Sequence, residues 1–183
     1  MNLCRAVFLD RDGTLIEDRE YISRPDDVVP LPNAAEGLKL LQVAGFKLVV
    51  VSNQSGVGRG YFTLDDVERV NARMISLFGE QGAHFARIYV APEAPGQSSR
   101  GRKPSPQFLF DARDEFGVDL GASYIVGDKW IDVECGRNAG VKCSILVRTG
   151  YGRKTELKKA NQLTEAVVVD DLLAAAQYIS KQT

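Results

Sequence analysis

Six short apolar segments of this chain, each long enough for one strand, alternate with stretches whose apolar residues recur at helical spacing. The strand-like segments are residues 6–9, 46–52, 87–91, 124–127, 144–147 and 166–169. The helical stretches are residues 34–43, 67–78, 106–116, 131–139 and 172–179. This alternation is typical of βαβ units, because a parallel strand pair needs a long crossover that a helix can provide. We therefore predict an α/β fold with a mostly parallel sheet and helices on both faces.

Length and charge limit the classes of partner. The chain has 183 residues, of which 44% are hydrophobic, so we expect a single domain over residues 1–183. Its 23 basic residues are balanced by 24 acidic ones, which argues against nucleic acid or a membrane surface as a partner. No apolar run approaches the length of a spanning helix, and no secretion signal precedes the first strand. We expect a cytoplasmic monomer.

The three cysteines do not form a recognisable pattern. Cys4, Cys135 and Cys143 are odd in number, far apart in sequence and set among small or apolar neighbours. This argues against a disulfide framework and against a Cys-x-x-Cys metal site. We predict three buried free thiols.

Polar side chains follow four of the predicted strands where each strand ends. They are Asp10, Asp12, Ser52, Lys103, Asp128 and Asp132. Taken singly, each has a simpler explanation, such as a turn, a helix cap or a solvated surface charge. Because ligands of open α/β sheets bind outside the carboxyl ends of the strands, we expect these groups to share one cleft. Carboxylates for a hard cation, a hydroxyl and a lysine are the groups that phosphoryl transfer requires.

The order of these residues carries a family resemblance. Asp10-x-Asp12-Gly-Thr, then Ser52, Lys103 and Gly-Asp128, resembles the four-motif signature of the haloacid dehalogenase (HAD) superfamily of phosphohydrolases over nearly the whole chain. The resemblance implies a three-layer Rossmann-like core, one Mg²⁺ ion and hydrolysis through an aspartyl-phosphate. It makes Asp10 the nucleophile, which divides the hydrolysis into two displacements.

The same resemblance assigns the other roles. Asp12 would act as general acid and base, and Ser52 and Lys103 would hold phosphate oxygens. Mg²⁺ would be bound by the side chains of Asp10 and Asp128 and by the main-chain carbonyl of Asp12. Asp132 would support the metal ligands without contacting the ion, or would bind the ion through a water molecule.

The chain has no room for the large cap domains that many members of this superfamily insert after the first motif or before the third. Only a short loop follows the first predicted strand, and one helix and one strand occupy residues 52–103. An open site follows, suited to a small phosphorylated metabolite.

The loops around the site resemble those of the D-glycero-D-manno-heptose 1,7-bisphosphate 7-phosphatases, enzymes of surface polysaccharide (lipopolysaccharide) biosynthesis. The resemblance lies in Asp-Arg-Glu-Tyr at 18–21, Asn-Gln-Ser-Gly at 53–56 with Arg59-Gly60, and Arg-Lys-Pro at 102–104. It implies substrate contacts from Asp18, Arg19, Tyr21, Asn53, Gln54, Ser55, Arg59, Arg102 and Lys129. Arg102, with Arg59 or Arg19, would bind the second phosphate. Histidinol phosphate or another small sugar phosphate is the alternative substrate.

One departure concerns metal binding. The families named above usually carry four zinc ligands, as Cys-x-His and Cys-x-Cys, in the loop after the third strand. Here those positions read Ala91-Pro92-Glu93 and Ser99-Arg100-Gly101, and the only histidine, His84, lies upstream. We expect no zinc, because this loop lacks the usual ligands of a tetrahedral site.

Two other classes of protein remain open on the residues alone. A phosphate-binding module could keep this fold without turnover, although such a protein would typically lose Asp12 or Asp128, and both are present. A response-regulator-like domain also phosphorylates an aspartate at a strand end, but it has no use for a second acid two residues later. We therefore predict a Mg²⁺-dependent phosphatase.

Overall fold

The computed structural model describes residues 4–182 and contains one six-stranded sheet in the order β3-β2-β1-β4-β5-β6. All five strand pairings are parallel. The strands are β1 Arg5–Leu9, β2 Phe46–Asn53, β3 Arg87–Ala91, β4 Tyr124–Gly127, β5 Cys143–Val147 and β6 Val167–Val169. The prediction of six strands in a parallel α/β sheet is confirmed.

Seven helices connect or follow these strands. They are α1 Ala34–Val43, α2 Ser55–Gly58, α3 Leu64–Gly79, α4 Gln107–Phe116, α5 Trp130–Ala139, α6 Gly152–Lys159 and α7 Leu172–Ser180. Short 3-10 turns occur at Pro25–Asp27, Leu120–Ala122 and Ala160–Gln162. The five predicted helices are present, whereas α2 and α6 were not predicted. Four residues are too few to show helical periodicity in α2, and α6 is polar nearly all round, so no apolar stripe marks it.

Alternate residues of the central strands face two separate cores. From β1, Val7 and Leu9 pack into one core with α1, α3 and α7, while Ala6 and Phe8 pack into the other with α4 and α5. Because successive side chains of a strand point to opposite faces, a strand between two helical layers is apolar throughout. The result is the predicted three-layer arrangement.

The order in which strands are added to the sheet changes direction at β1. The chain builds β2 and β3 on one side of β1 and then returns to place β4 on the other side. Leu9, the last residue of β1, pairs with Val50 of β2 and Val126 of β4, and the Asp10 amide donates to the Val126 carbonyl at 3.0 Å. Such a switch point leaves a crevice at the carboxyl ends of the two central strands.

No additional folded unit is inserted near this crevice within residues 4–182. Residues 10–33 contain a single 3-10 turn, and residues 52–103 contain the end of β2 followed by α2, α3 and β3. No helix among the described residues is long and apolar enough to cross a membrane.

The prediction of three buried thiols is wrong for two of them. All three cysteines are free, and Cys135 on α5 is buried, but Cys4 and Cys143 are only half-buried. Cys4 precedes β1 and Cys143 begins β5, so both lie at the amino-terminal edge of the sheet rather than in its buried centre.

Helix α5 lies unusually close to the sheet at Gly136. A Cβ atom at this position would lie 2.2 Å from Ser144 Oγ and 2.4 Å from Ile125 Cγ2. Since contacts this short cannot exist, the missing side chain sets the distance between α5 and strands β4 and β5. That distance matters for the site, because Asp132 stands on the first turn of the same helix.

We expect Gly136→Ala to lower the free energy of unfolding by about 1 to 3 kcal/mol, because overpacking outweighs the better helix propensity of alanine. Chemical denaturation followed by circular dichroism measures this change. Gly79→Ala is the matched control, since Gly79 is also helical and, apart from its own helix and chain neighbours, no atom of residues 4–182 lies within 4 Å of the added Cβ. Equal stabilities of the two variants would contradict the close approach of α5.

Candidate active site

Three carboxylates meet at the switch point. Asp10 follows β1, Asp128 follows β4, and Asp132 lies one turn into α5. Their oxygens lie within 4.8 Å of one another, and all three residues are buried. Like charges this close repel strongly in a dry environment, so the cluster requires a cation.

Lys103 supplies one such charge. Its Nζ lies 2.7 Å from Asp10 Oδ1 and 2.6 Å from Asp132 Oδ1, and it donates to the Val51 carbonyl at 2.6 Å. Burial alone would lower the pKa of Lys103, but the two carboxylates outweigh it and raise this pKa above its ordinary value. Burial likewise opposes ionisation of Asp10, yet the charges of Lys103 and Lys129 hold the pKa of Asp10 below its usual range. Asp10 is therefore an anion despite its burial.

Asp128 is the least satisfied of the three acids. Its Oδ2 accepts the Tyr151 amide at 2.7 Å, and it fits only because Gly13 and Gly150 carry no side chain: a Cβ on either would lie 2.3 Å from this oxygen. Among residues 4–182, no group donates a hydrogen bond to its buried Oδ1, which faces Lys129 Nζ at 3.8 Å. Burial and the nearby Asp10 raise the pKa of Asp128 to about 8.

This arrangement fits a hard divalent cation. A buried carboxylate oxygen without a donor, next to a second carboxylate that is already ionised, matches the oxygen ligands and the charge that Mg²⁺ prefers. Asp10 and Asp128 can hold such an ion. Asp132 is less available, because Oδ2 accepts the Lys129 amide at 2.9 Å and Oδ1 pairs with Lys103.

Asp12 is held by a different set of donors. Arg11, fully buried, donates to both of its carboxylate oxygens at 3.0 and 3.1 Å and to Asn71 at 2.9 Å. Gln54 Nε2 donates to Asp12 at 2.8 Å and to the Ser52 hydroxyl oxygen at 2.7 Å. Ser52 is therefore joined to Asp12 through the Gln54 amide.

Sequence reasoning missed Arg11 and Asn71. A basic residue enclosed by two acids in Asp10-Arg11-Asp12 was the available signal for Arg11. For Asn71 no local signal exists, because it lies on α3, sixty residues from its partner. Gln54, a predicted substrate contact, also donates from its Nε2 to Asp12 and Ser52 in the structure.

Beside the acids lies an open cavity of about 330 Å³. Seven of the residues expected at the site line it: Asp12, Asp18, Tyr21, Asn53, Gln54, Ser55 and Lys129. Glu20, Ile22, Gly56 and Tyr151 line it as well. This volume suits a small metabolite.

The three arginines expected at the site do not line this cavity. Arg19 forms an exposed ion pair with Glu17 at 2.8 Å. Arg59 is exposed at the end of α2, and Arg102 is half-buried in the loop after β3. Burial lowers the pKa of Arg102, and so does the positive charge of Arg59.

The loop after β1 forms one wall of the cavity. Asp18 pairs with Lys129 Nζ at 2.9 Å, and this pair joins the loop to the start of α5. Glu20 and Tyr21 have positive φ angles of 52° and 27°, and the Tyr21 ring packs edge-on against Tyr61 at 4.8 Å. Backbone conformations of this kind are rare outside glycine and occur where the surroundings enforce them.

Comparison with known proteins agrees with this geometry. Residues 101–175 match the model of the HAD-hydrolase-like family. A solved structure of D,D-heptose 1,7-bisphosphate phosphatase from B. bronchiseptica, complexed with magnesium and phosphate, superimposes with a TM-score of 0.90. Its sequence is 29% identical, and the match covers 98% of this chain and 99% of that one.

Two relatives extend the comparison to sequence. D-glycero-D-manno-heptose-1,7-bisphosphate 7-phosphatase of Chlorobaculum tepidum is 39% identical, covering 96% of this chain and 94% of the relative. D-glycero-beta-D-manno-heptose-1,7-bisphosphate 7-phosphatase of Pseudomonas aeruginosa is 37% identical, covering 93% and 94%. By these matches along nearly its whole length, the chain belongs to the D-glycero-D-manno-heptose-1,7-bisphosphate 7-phosphatase family of HAD-like phosphatases.

Proposed function

We propose that this protein is a Mg²⁺-dependent phosphatase that removes the 7-phosphate of D-glycero-D-manno-heptose 1,7-bisphosphate. The observation that carries the proposal is the ionised Asp10, buried beside Lys103 and within the acid cluster at the switch point. Membership of the heptose bisphosphate phosphatase family supports the choice of substrate. The cavity beside Asp12 is large enough for a sugar phosphate.

In the first step, an Asp10 carboxylate oxygen attacks phosphorus, and the bond from phosphorus to the sugar oxygen breaks. Asp12 donates its proton to the departing oxygen, so the sugar leaves as an alcohol. In the second step, water attacks the aspartyl-phosphate and gives its proton to Asp12. Free phosphate leaves, Asp10 is restored as a carboxylate, and Asp12 is again protonated.

The neighbouring side chains support the separate roles of Asp10 and Asp12. Lys103 keeps Asp10 ionised, which a nucleophile must be, while Arg11 and Gln54 fix the direction of the Asp12 carboxylate. Ser52 and Lys103 are the residues expected to hold the oxygens of the transferred phosphoryl group. Because Lys103 Nζ is engaged with Asp10, Asp132 and the Val51 carbonyl, we assign Lys129 to this role beside Ser52. Lys129 lines the cavity, and its Nζ lies 2.9 Å from Asp18 and 3.8 Å from Asp128, so it offers positive charge to an anionic substrate in the cavity.

Mg²⁺ would be held by the side chains of Asp10 and Asp128, with Asp12 contributing its main-chain carbonyl. When bound, the ion would supply positive charge to the phosphoryl oxygens. Asp132 keeps Lys103 and the start of α5 in place behind these ligands.

We assign substrate selection to the loops that follow β1, β2 and β3. We assign Arg102 and Arg59 to the phosphate that is retained, because bidentate guanidinium contacts suit a phosphate held away from the metal. Asp18, Tyr21, Asn53 and Ser55 would contact the sugar. Arg19, engaged with Glu17, would need to change partner to join them.

We propose further that the protein acts as a cytoplasmic monomer on a free metabolite and without zinc. Within residues 4–182, the acid cluster is the one group of three or more His, Cys, Asp or Glu residues with ligand atoms close enough for a metal. That cluster offers only carboxylate oxygens, which favours magnesium over zinc.

We expect Asp10→Asn to lower kcat by at least about four orders of magnitude, since removal of a catalytic nucleophile has effects of this size. Phosphate release measures the loss, and circular dichroism checks that the fold is kept. Asp65→Asn, an exposed position in the first turn of α3, is the matched control and should be as active as the wild type. Substantial phosphatase activity in the Asp10 variant would refute the assignment of the nucleophile.

Metal binding should be visible in stability. Mg²⁺ at 100 times its Kd should stabilise the wild type by about 2.7 kcal/mol, while Asp128→Asn should lose most of this gain. In EDTA the variant should be at least as stable as the wild type, because one buried, repelled carboxylate has been removed. Thermal unfolding with Mg²⁺ and with EDTA tests both the stabilisation by the ion and the stability without it. An equal response of the two proteins to Mg²⁺ would exclude Asp128 as a ligand.

The substrate is tested by comparing kcat/KM among phosphate esters in the presence of Mg²⁺. We expect a preference of at least about a hundredfold for heptose 1,7-bisphosphate over fructose 1,6-bisphosphate, histidinol phosphate and an aryl phosphate, since polar contacts discriminate strongly. Phosphorus NMR of the product identifies the phosphate that leaves. Comparable values for all four esters would contradict selection by the loops.

A further inference from the structure

The loop after β3, residues 92–103, is organised by side chains of its own. Glu93 Oε2 accepts the Ser99 hydroxyl at 2.6 Å, and Ser99 Oγ in turn accepts the Arg102 amide at 3.1 Å. At the tip, Gln97 Oε1 accepts the Ala94 amide at 2.6 Å. Two residues outside the catalytic cluster, Glu93 and Ser99, thus join the two arms of the loop.

Both ends of this loop are attached to the site. At its start, the Gly58 amide of α2 donates to the Pro92 carbonyl at 2.8 Å. At its end, Asn53 Oδ1 accepts the Lys103 amide at 2.9 Å, and Asn53 Nδ2 donates to the Lys103 carbonyl at 3.1 Å. The loop is therefore held at each end, and its interior depends on the Glu93 and Ser99 contacts.

Arg102 is tied to this network twice. Its amide is bound by Ser99, and its guanidinium Nη1 donates to the Glu93 carbonyl at 2.9 Å. Within residues 4–182, its Nε and Nη2 groups have no acceptor. The side chain is thus held at one nitrogen while the others remain available to an anion, next to the positive charge of Arg59.

We propose that Glu93 and Ser99 are positioning residues that hold Arg102 in the orientation needed to bind the second phosphate of the substrate. This inference rests on the proposed function and deepens it. Glu93 and Ser99 occupy two positions at which the related families usually carry zinc ligands. In this chain a hydrogen bond between the two side chains joins the arms of the loop instead. Specificity for a bisphosphate then depends on Ser99 and Glu93, which act through Arg102 and do not contact the substrate themselves.

The central variant is Ser99→Ala, with Ser99→Thr as the matched control that keeps the hydroxyl. We expect Ser99→Ala to raise KM for heptose 1,7-bisphosphate about tenfold, the effect of misaligning one charge-assisted hydrogen bond, with little change in kcat. KM for an aryl monophosphate, which has no second phosphate, should change much less. Glu93→Ala should act like Ser99→Ala, and Glu93→Gln, which retains an acceptor, should restore most of the affinity.

A double-mutant cycle separates positioning from general destabilisation. Arg102→Ala should raise KM for the bisphosphate, and adding Ser99→Ala to it should raise KM no further, because the group being positioned is gone. Independent, additive losses would overturn the inference. So would an unchanged KM in Ser99→Ala when Arg102→Ala has a clear effect.

Amide hydrogen exchange gives a readout that requires no substrate. Exchange at the Arg102 amide should be slow in the wild type and in Ser99→Thr, and faster in Ser99→Ala. Equal exchange in all three proteins would overturn the network. If exchange changes as expected but the wild type shows no preference for a bisphosphate, then the proposed substrate fails and the positioning of Arg102 stands.

Discussion

The site depends on the ammonium group of Lys103 lying among buried carboxylates. Without it, Asp10 and Asp132 would face each other in a dry environment, and one of them would take up a proton. With it, Asp10 stays charged before any metal or substrate arrives. Because Nζ also donates to the Val51 carbonyl, the lysine has no spare donor and cannot swing away without leaving several buried groups unsatisfied.

The sheet makes this contact possible by its strand order. Asp10 and Asp128 are neighbours because β1 and β4 pair, although they are far apart in sequence. Gly13 and Gly150 bring two further loops onto Asp128, and Gly136 lets α5 lie close enough for Asp132 to join the cluster. Small residues on three separate segments therefore determine how tightly the charges are packed.

The strands, most helices and the residues at the sheet edge could be predicted from sequence, because apolar periodicity and parallel topology act locally and repeatedly. Contacts between distant segments could not be predicted. Arg11 is fixed by Asn71 on α3, and the Gln54 amide links Asp12 to Ser52, contacts that no local pattern predicts. Helix α6 escaped prediction because it has almost no apolar face.

The switch in strand order has a consequence for synthesis on the ribosome. β1 is made first but stays an open edge on one side until β4, residues 124–127, has emerged, and Lys103 follows Asp10 by 93 residues. A nascent chain that ends before residue 124 thus lacks β4, so β1 keeps an exposed edge, and it also lacks Asp128 and Asp132 of the charge cluster. The acid cluster is therefore completed only in the last third of the described chain, and a translation product that ends before residue 128 has Asp10 without its two partner acids.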